Sequence, residues 1–156
     1  MPTIKSMLTF EEGFENKAYP DPLTGGAPWT IGIGCTGPGI GPDTVWTDDE
    51  VNQHYAEREA KAINDCVTHF DWWADLDEVR QAVVVGMVYQ MGIGHPASPV
   101  NKATGVMGFP RFLQAMEDGR WNQAAGEMRD SLWAKQTPKR AARAARAIET
   151  GEWQWT

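Results

Sequence analysis

The stretch EEGFENKAYPDPLTGGAPWTIGIG, from Glu11 to Gly34, is the most informative part of this 156-residue chain. One acidic residue, Glu12, ends an apolar segment, and a second, Asp21, follows between two prolines. Thr30 then opens a segment in which isoleucine alternates with glycine. This order predicts a helix end, a Pro/Gly turn and a short strand, which can bring two carboxyl groups and a hydroxyl group to one place.

Two carboxyl groups with different protonation states are what hydrolysis of a glycosidic bond requires. One group gives a proton to the departing sugar oxygen, and the other stays ionised beside the charge that develops on the sugar ring. Glu12 follows an apolar helix, which fits the proton donor, whereas Asp21 lies in a turn that should be solvated, which fits the ionised partner. Ordinary surface carboxylates produce the same pattern, so these residues alone do not decide the function.

Length and composition limit the architecture. A chain of 156 residues with 42% hydrophobic residues predicts one domain with one core, or two small lobes that share a helix. The chain has no apolar run long enough for a membrane span, and its first residues lack the features of a signal peptide, so we expect a cytosolic protein. The only two cysteines, Cys35 and Cys66, should then stay reduced.

The charge of the chain is unevenly distributed. Residues 1–80 carry 15 acidic and 5 basic residues, a net charge of −10, and residues 81–156 carry 6 acidic and 9 basic residues, a net charge of +3. The acidic half argues against nucleic-acid binding. A group of basic residues near the C-terminus either faces an anionic polymer or forms a solvated helix face: Lys135, Lys139, Arg140, Arg143 and Arg146.

Helices dominate the predicted secondary structure outside the opening stretch. We expect a helix at 3–10, a small antiparallel sheet within 18–35, and a helix from Asp48 to about 67 that begins at the capping box of Thr47 and Glu50. The apolar VVVGMV segment predicts a buried helix at 78–91, which Asp77 could cap, and 92–106 should form a loop. Further helices are predicted at 110–117, at 121–132, and after Thr137, with Pro138 at the first position and Gly151 just past the end.

Several motifs in this chain resemble those of the T-even-type phage lysozymes, glycoside hydrolase family 24. The first is Glu12-Gly13, Tyr19-x-Asp21 and the TIGIG segment at 30–34. Four further motifs follow in the order of that family: MVYQMG at 87–92, GRW-x-x-AA at 119–125, W-x-x-QTP-x-RA at 133–141, and T-G-x-W at 150–153. The resemblance therefore covers nearly the whole chain.

The resemblance implies an α+β, lysozyme-like fold in a single catalytic domain, residues 1–156. A small N-terminal sheet lobe, about 12–60, would be joined by a long helix to a larger helical lobe, about 70–156, with 1–11 packed on the latter. An active-site cleft would lie between the lobes. The implied protein is a monomeric phage endolysin, a muramidase that needs no cofactor and no metal.

The resemblance also implies a substrate and a setting. The enzyme would hydrolyse the β-1,4 bond between N-acetylmuramic acid and N-acetylglucosamine in the glycan strands of peptidoglycan, with inversion at the anomeric carbon. It would stay in the host cytoplasm until a holin releases it to the periplasm and cell wall, where it would lyse the host.

The implied site residues fall into three groups. Glu12 would act as the acid, Asp21 as the base or water-positioning carboxylate, and Thr30 would help to hold the water. Arg140 would pair with Glu12 and support the site, although an opposing charge favours the ionised form of the acid, so burial or substrate binding must offset it. Tyr89 fits either core packing or a sugar contact, and it belongs to the four implied substrate-binding residues: Thr36, Tyr89, Gln90 and Phe112.

Other chemistries compete with this interpretation. A lytic transglycosylase needs one acid and no water-activating carboxylate, and a non-catalytic peptidoglycan-binding module needs neither, so the presence of Asp21 and Thr30 argues against both. Cys35 stands where many relatives have a histidine, and a thiol nucleophile would need a nearby base. The three histidines of the chain lack the spacing of metal ligands.

Overall fold

The computed structural model describes residues 2–156, and within that range the chain combines seven helices with one small sheet. The sheet is two-stranded and antiparallel, which confirms the predicted α+β class. In chain order the elements are α1 (Ile4–Glu12), β1 (Glu15–Tyr19), β2 (Thr30–Gly32), α2 (Asp48–His69), α3 (Glu78–Met91), α4 (Pro110–Glu117), α5 (Trp121–Arg129), α6 (Leu132–Gln136) and α7 (Pro138–Thr150), with 3-10 turns at Trp73–Asp75 and Val106–Gly108.

Local capping fixes the starts of the N-terminal helices. The Thr3 side chain accepts a hydrogen bond from the backbone N–H of Ser6, and α1 runs on to Glu12, two residues beyond the predicted end. Gly13 stops it with a φ of 81°, a conformation that glycine adopts at little cost. The capping box of Thr47 and Glu50 is present, as predicted, at the start of α2.

The sheet begins earlier than predicted. β1 starts at Glu15 rather than near Ala18, and its register pairs Glu15 with Gly32 and Tyr19 with Thr30. The first three residues of β1 are polar and exposed, so they show no alternation of apolar and polar side chains from which the strand could have been predicted. On its other side β1 is hydrogen-bonded to the segment 44–46. The N–H of Ala18 donates to the carbonyl of Thr44 at 3.0 Å, and the N–H of Trp46 donates to the carbonyl of Asn16 at 2.8 Å.

Two apolar clusters are present in the described residues. The larger one contains residues of α2, α3, α5 and α7, and also Met7 and Leu8 of α1. Helix α3 is buried nearly all round, which agrees with its uniformly apolar sequence. The smaller cluster consists of Ala18, Ile31 and Cys35, with partly buried tryptophans packed against it. Helix α1 thus packs with the larger cluster. The segment predicted to pack on the helical lobe was 1–11, and residue 1 lies outside the described residues.

Two predictions for the C-terminal helices were wrong. The predicted helix at 121–132 is divided into α5 and α6, because the Ser131 side chain accepts a hydrogen bond of 3.2 Å from the N–H of Ala134 and so begins a new helix. Thr137 does not cap α7 through its side chain, since its hydroxyl donates to the carbonyl of Trp133 instead, at 3.0 Å. Gly151 ends α7 in the left-handed conformation, as predicted.

Three further observations bear on function. Among the described residues, no helix is both long enough and apolar enough to cross a membrane. The loop at 92–106 folds back on itself as a short arm, in which His95 and Thr104 exchange backbone hydrogen bonds of 3.1 and 3.0 Å.

Cys35 and Cys66 are buried and form no disulfide bond. Burial raises the pKa of both thiols, that of Cys66 to about 12. Neither thiol is therefore suited to nucleophilic attack.

Candidate active site

Glu12 occupies the last position of α1, where the helix meets both α7 and the end of the sheet. One of its carboxylate oxygens accepts a hydrogen bond from the Arg140 guanidinium of α7. The two side chains are 19% and 11% exposed, so this ion pair is largely shielded from water. A second nitrogen of Arg140 lies 3.4 Å from the carbonyl oxygen of Gly86 in α3. The predicted pairing of Glu12 with Arg140 is therefore present in the structure.

Gly34 approaches the other oxygen of the Glu12 carboxylate. A Cβ atom built on Gly34 would lie 2.7 Å from that oxygen and 2.9 Å from the carboxyl carbon. The backbone of Gly34 has a φ of 66°, which side-chain-bearing residues rarely adopt. Glycine is thus required here for two reasons, and it allows the backbone after β2 to lie directly against the proposed acid.

Tyr19 and Thr30 form a pair beside Glu12. They are register partners in the sheet, so their side chains project from the same face of it. Burial raises the pKa of Tyr19, and the negative charges of Glu12 and Glu15 raise it further, while the neighbouring Thr30 side chain lowers it. Glu12 at the end of α1 therefore lies close enough to the Tyr19–Thr30 strand pair for its charge to act on Tyr19.

Asp21 lies in the turn that links the two strands, two residues after Tyr19. Its backbone closes the turn through hydrogen bonds of 2.9 Å with Gly26 and 2.8 Å with Gly25. Its side chain accepts the N–H of Leu23 at 3.0 Å through one oxygen. This contact spans two residues and holds the Asp21 side chain against the backbone of its own turn. The turn therefore fixes the carboxylate at the rim of the sheet.

A second ion pair lies next to the first. Glu11 accepts two hydrogen bonds of 2.8 Å from Arg143 and one of 2.6 Å from the indole of Trp155. Its side chain is only 4% exposed. Burial opposes ionisation of Glu11, but the hydrogen bonds from Arg143 and Trp155 outweigh burial, and its pKa lies below the ordinary value. Arg140 and Arg143 are therefore turned inward and do not form a cationic surface for a polymer.

Two of the predicted substrate residues lie at the end of α3. Tyr89 is half-buried, and its hydroxyl donates to the carbonyl of Ile33, one residue before Gly34. Burial raises the pKa of Tyr89 well above its ordinary value. Gln90 is exposed, and its amide oxygen accepts the indole N–H of Trp133 at 2.8 Å. Both side chains thus serve structural contacts, while Gln90 keeps its amide NH₂ group available.

Thr36 and Phe112 differ in their accessibility. Thr36 is exposed, and its carbonyl oxygen accepts a hydrogen bond of 2.6 Å from Arg58 of α2. Phe112 is 1% exposed and belongs to the larger apolar cluster. A depression of about 280 Å³ lies above it, lined also by Glu127 and Ser131. The Phe112 ring fills the core that supports α4 and forms only part of the floor of this depression.

Some residues of the site were not found from the sequence. Glu11 was not distinguished from its neighbour, because two consecutive acids at the end of a helix carry no local signal of which one is buried. Tyr19 and Arg58 were not selected either, because the strand pairing and the α2 contact that bring them to the site are long-range. Among residues 2–156, no group of three or more histidine, cysteine or acidic side chains is arranged to hold a metal ion.

The comparisons with known proteins agree on one family. A family model described as "Phage lysozyme" matches residues 9–146. The probable T4-type lysozyme 1 of Dictyostelium discoideum is 34% identical over 91 residues, which are 58% of this chain and 48% of that protein. The probable T4-type lysozyme 2 of the same organism is 39% identical over 77 residues, 49% of this chain and 39% of that protein.

A phage structural protein also matches. The pre-baseplate central spike protein Gp5 of Enterobacteria phage T4 is 38% identical over 79 residues, which are 51% of this chain and 12% of that protein. The chain thus spans less than half the length of each of these curated relatives.

Proposed function

Because the chain belongs to the phage lysozyme family, we propose that it is a peptidoglycan hydrolase that cleaves the β-1,4 bond between N-acetylmuramic acid and N-acetylglucosamine. The observation that carries the proposal is the position of Glu12. Its carboxylate stands where α1, α7 and the end of the sheet meet, with Arg140 on one oxygen and the Gly34 backbone against the other. The names of the two T4-type lysozymes support the same activity.

The proposed reaction divides the chemistry between the two carboxyl groups. Glu12 gives its proton to the glycosidic oxygen as the bond to the anomeric carbon breaks. Asp21 takes a proton from a water molecule, which Thr30 helps to position, and this water attacks the anomeric carbon from the opposite face. The product would carry the inverted configuration, and the carboxyl groups of such a pair stand about 6.5–9.5 Å apart.

Arg140 has a positioning role in this proposal. Its charge favours the ionised form of Glu12, so the pair must loosen, or sugar binding must remove water from the cleft, before Glu12 acts as an acid. Arg140 contributes to the geometry of the site, because the Glu12 side chain has a defined orientation when one of its oxygens is held. In this proposal Arg140 orients the acid and does not touch the reacting bond.

The substitution Glu12→Gln is the main test of this proposal. It keeps the shape and hydrogen-bonding capacity of the side chain and removes the proton donor, so we expect loss of turbidity-clearing activity on permeabilised cells by a folded protein. Glu15→Gln is a matched control, since Glu15 is an exposed acid at the start of β1 in the same sheet. A folded Glu12→Gln variant that lyses cells as the unchanged protein does would remove Glu12 from the mechanism.

Analysis of the products tests the role of Asp21. Mass spectrometry should detect reducing ends, which require water, and Asp21→Asn should abolish their formation. Anhydromuramoyl ends would instead show that the chain is a lytic transglycosylase. Binding to purified walls without any soluble product would show a non-catalytic binding module.

The biological setting is proposed on the same basis. We infer that the protein acts as a monomeric endolysin, held in the host cytoplasm until a holin opens the membrane to the cell wall. Expression in a bacterial host should cause lysis only when a membrane-permeabilising protein is expressed with it. Lysis by this chain alone would contradict the dependence on a holin. A free, active monomer in gel filtration would separate this role from that of a structural spike component, the role that the name of Gp5 describes.

A further inference from the structure

A depression of about 300 Å³ lies between α2 and the C-terminal end of α3. We call it the Arg58 pocket, and its walls include Arg58, Lys61, Asp65, Tyr89 and Gln90. It adjoins the proposed active site through the segment that follows β2. Gly34 of that segment touches Glu12, and Thr36, two residues further on, is hydrogen-bonded to Arg58. Two residues of extended chain span at most about 7 Å, so the pocket is a near neighbour of the proposed acid.

Hydrogen-bond donors outnumber acceptors in the Arg58 pocket. Lys61 is paired with Asp65 at 3.0 Å, so these two charges largely cancel. Arg58 has no carboxylate within 4.0 Å among residues 2–156, and the Thr36 carbonyl, at 2.6 Å, takes one of its five N–H groups. The Gln90 amide oxygen is already occupied by Trp133, which leaves its NH₂ group as a further donor.

The charge of the pocket is opposite to that of its surroundings. Arg58 and Lys61 against Asp65 give a net charge of +1, whereas residues 1–80, which include all three, carry a net charge of −10. Arg58 is half-buried beside Tyr89, so water screens its charge less than that of an exposed arginine. A guanidinium with a free edge binds a carboxylate through two parallel hydrogen bonds.

We propose that Arg58 binds a carboxylate of the peptidoglycan strand while the glycan lies in the cleft. This inference rests on the proposed function. Peptidoglycan offers that chemistry from two sources, the stem peptide and the lactyl group of N-acetylmuramic acid, which becomes a free carboxylate when the peptide is removed. The Arg58 pocket would therefore distinguish cell-wall strands from neutral polymers of N-acetylglucosamine.

The test compares three soluble fragments in binding experiments with the Glu12→Gln protein, which we expect to leave them uncleaved. The fragments are a neutral N-acetylglucosamine oligomer, a muropeptide with its stem peptide, and the same glycan after removal of the peptide. Arg58→Gln should weaken binding of the carboxylate-bearing fragment about 10- to 100-fold and leave the neutral oligomer unchanged. The fragment that loses affinity identifies the source of the carboxylate.

Two further variants keep the result interpretable. Arg58→Lys retains the charge without the planar fork, so its loss of affinity should be smaller than that of Arg58→Gln. Arg120→Gln is the matched control, because Arg120 is exposed, paired with Asp118 at 2.7 Å, and outside the pocket. Its binding of all three fragments should match that of the parent protein.

The possible failures are distinguishable. If Arg58→Gln weakens the neutral oligomer as much as the charged fragments, Arg58 only positions Thr36, and the inference is wrong. If the substitution changes no affinity, the inference is also wrong, while the proposed function stands. If none of the fragments binds to the parent protein, the proposed function fails, and the inference fails with it.

Discussion

The contact between Gly34 and Glu12 allows a test in which one methyl group is added to the backbone against the proposed acid. In Gly34→Ala the new Cβ atom would lie 2.7 Å from a Glu12 oxygen and 2.9 Å from the carboxyl carbon. Ordinary contacts begin near 3.4 Å, so the two groups must separate by about 0.7 Å. Arg140 holds the other oxygen, and the carboxylate cannot retreat without straining that pair.

The expected magnitude follows from this displacement. A misplacement of about 1 Å in a catalytic group can cost about 100-fold in rate, so a shift of about 0.7 Å should cost on the order of 10- to 100-fold. The substitution should also lower the free energy of unfolding, because alanine at a φ of 66° is strained by about 1–2 kcal/mol. We therefore expect a modest loss of stability and a disproportionate loss of activity.

Gly119→Ala separates these two effects. Gly119 has a φ of 68°, nearly the same as Gly34, and its added Cβ atom would meet only Trp121, at an ordinary distance of 3.7 Å. It lies between α4 and α5, away from Glu12. Gly34→Ala should lose at least as much stability as Gly119→Ala in urea unfolding, but only Gly34→Ala should lose activity in a turbidity assay with permeabilised cells.

The comparison also defines the refuting result. If Gly34→Ala retains the activity of Gly119→Ala at equal folded fraction, then crowding of the Glu12 carboxylate does not affect the reaction. In that case Glu12 either tolerates displacement, which a proton donor with a fixed target does not, or takes no part in the chemistry.

Two further predictions concern stability and its pH dependence. Glu11→Gln should destabilise the fold by about 3 kcal/mol at neutral pH, because it leaves Arg143 without its charged partner in a shielded site. Since the pKa of Glu11 is lowered by folding, this difference should be present above pH 4.5 and should shrink as the pH falls further, measured by urea unfolding over a pH series. The folded protein should also lose stability from pH 9.0 to about 12, because burial keeps the Cys66 thiol protonated while the unfolded chain releases its proton. Cys66→Ala should reduce this slope by up to about 1.4 kcal/mol per pH unit, and an unchanged slope would exclude Cys66 as a source.

Elements with local signals were predicted well from the sequence. The capping box at Thr47 and the Asp77 cap determine the starts of α2 and α3, and both depend on residues within one helical turn. The start of β1 was not predicted, because its first residues are polar and exposed and acquire their strand geometry from pairing with β2 and with the segment 44–46. Pairing partners so distant in sequence leave no local pattern.

The site shows the same division between local and long-range information. Glu12, Asp21 and Thr30 could be selected because they lie within one short stretch with turn residues between them. The inward direction of Arg143 could not be predicted, since it depends on the packing of α7 against α1, more than 130 residues away along the chain. A basic residue on a helix has the same sequence signature whether it faces solvent or a buried acid. The burial of Phe112 could not be predicted for a related reason, because it depends on how α4 turns the aromatic ring into the core.

The alternation in the TIGIG segment explains why the acid is so closely confined. Ile31 packs in the smaller apolar cluster and Ile33 in the larger one, so this segment joins the two clusters across one residue. Gly32 lies between the two isoleucines, and Gly34 follows the second. Each glycine has a close neighbour: a Cβ atom added to Gly32 would lie 3.1 Å from the Trp46 ring, and one added to Gly34 would meet the Glu12 carboxylate. A substitution that repacks Ile33 can shift Gly34 relative to α1, because Ile33 directly precedes Gly34 and packs in the larger cluster, where Met7 and Leu8 anchor α1. Activity should therefore respond to repacking of this segment more strongly than stability does, because a displacement of a few tenths of an ångström costs little packing energy but alters the space around the proton donor.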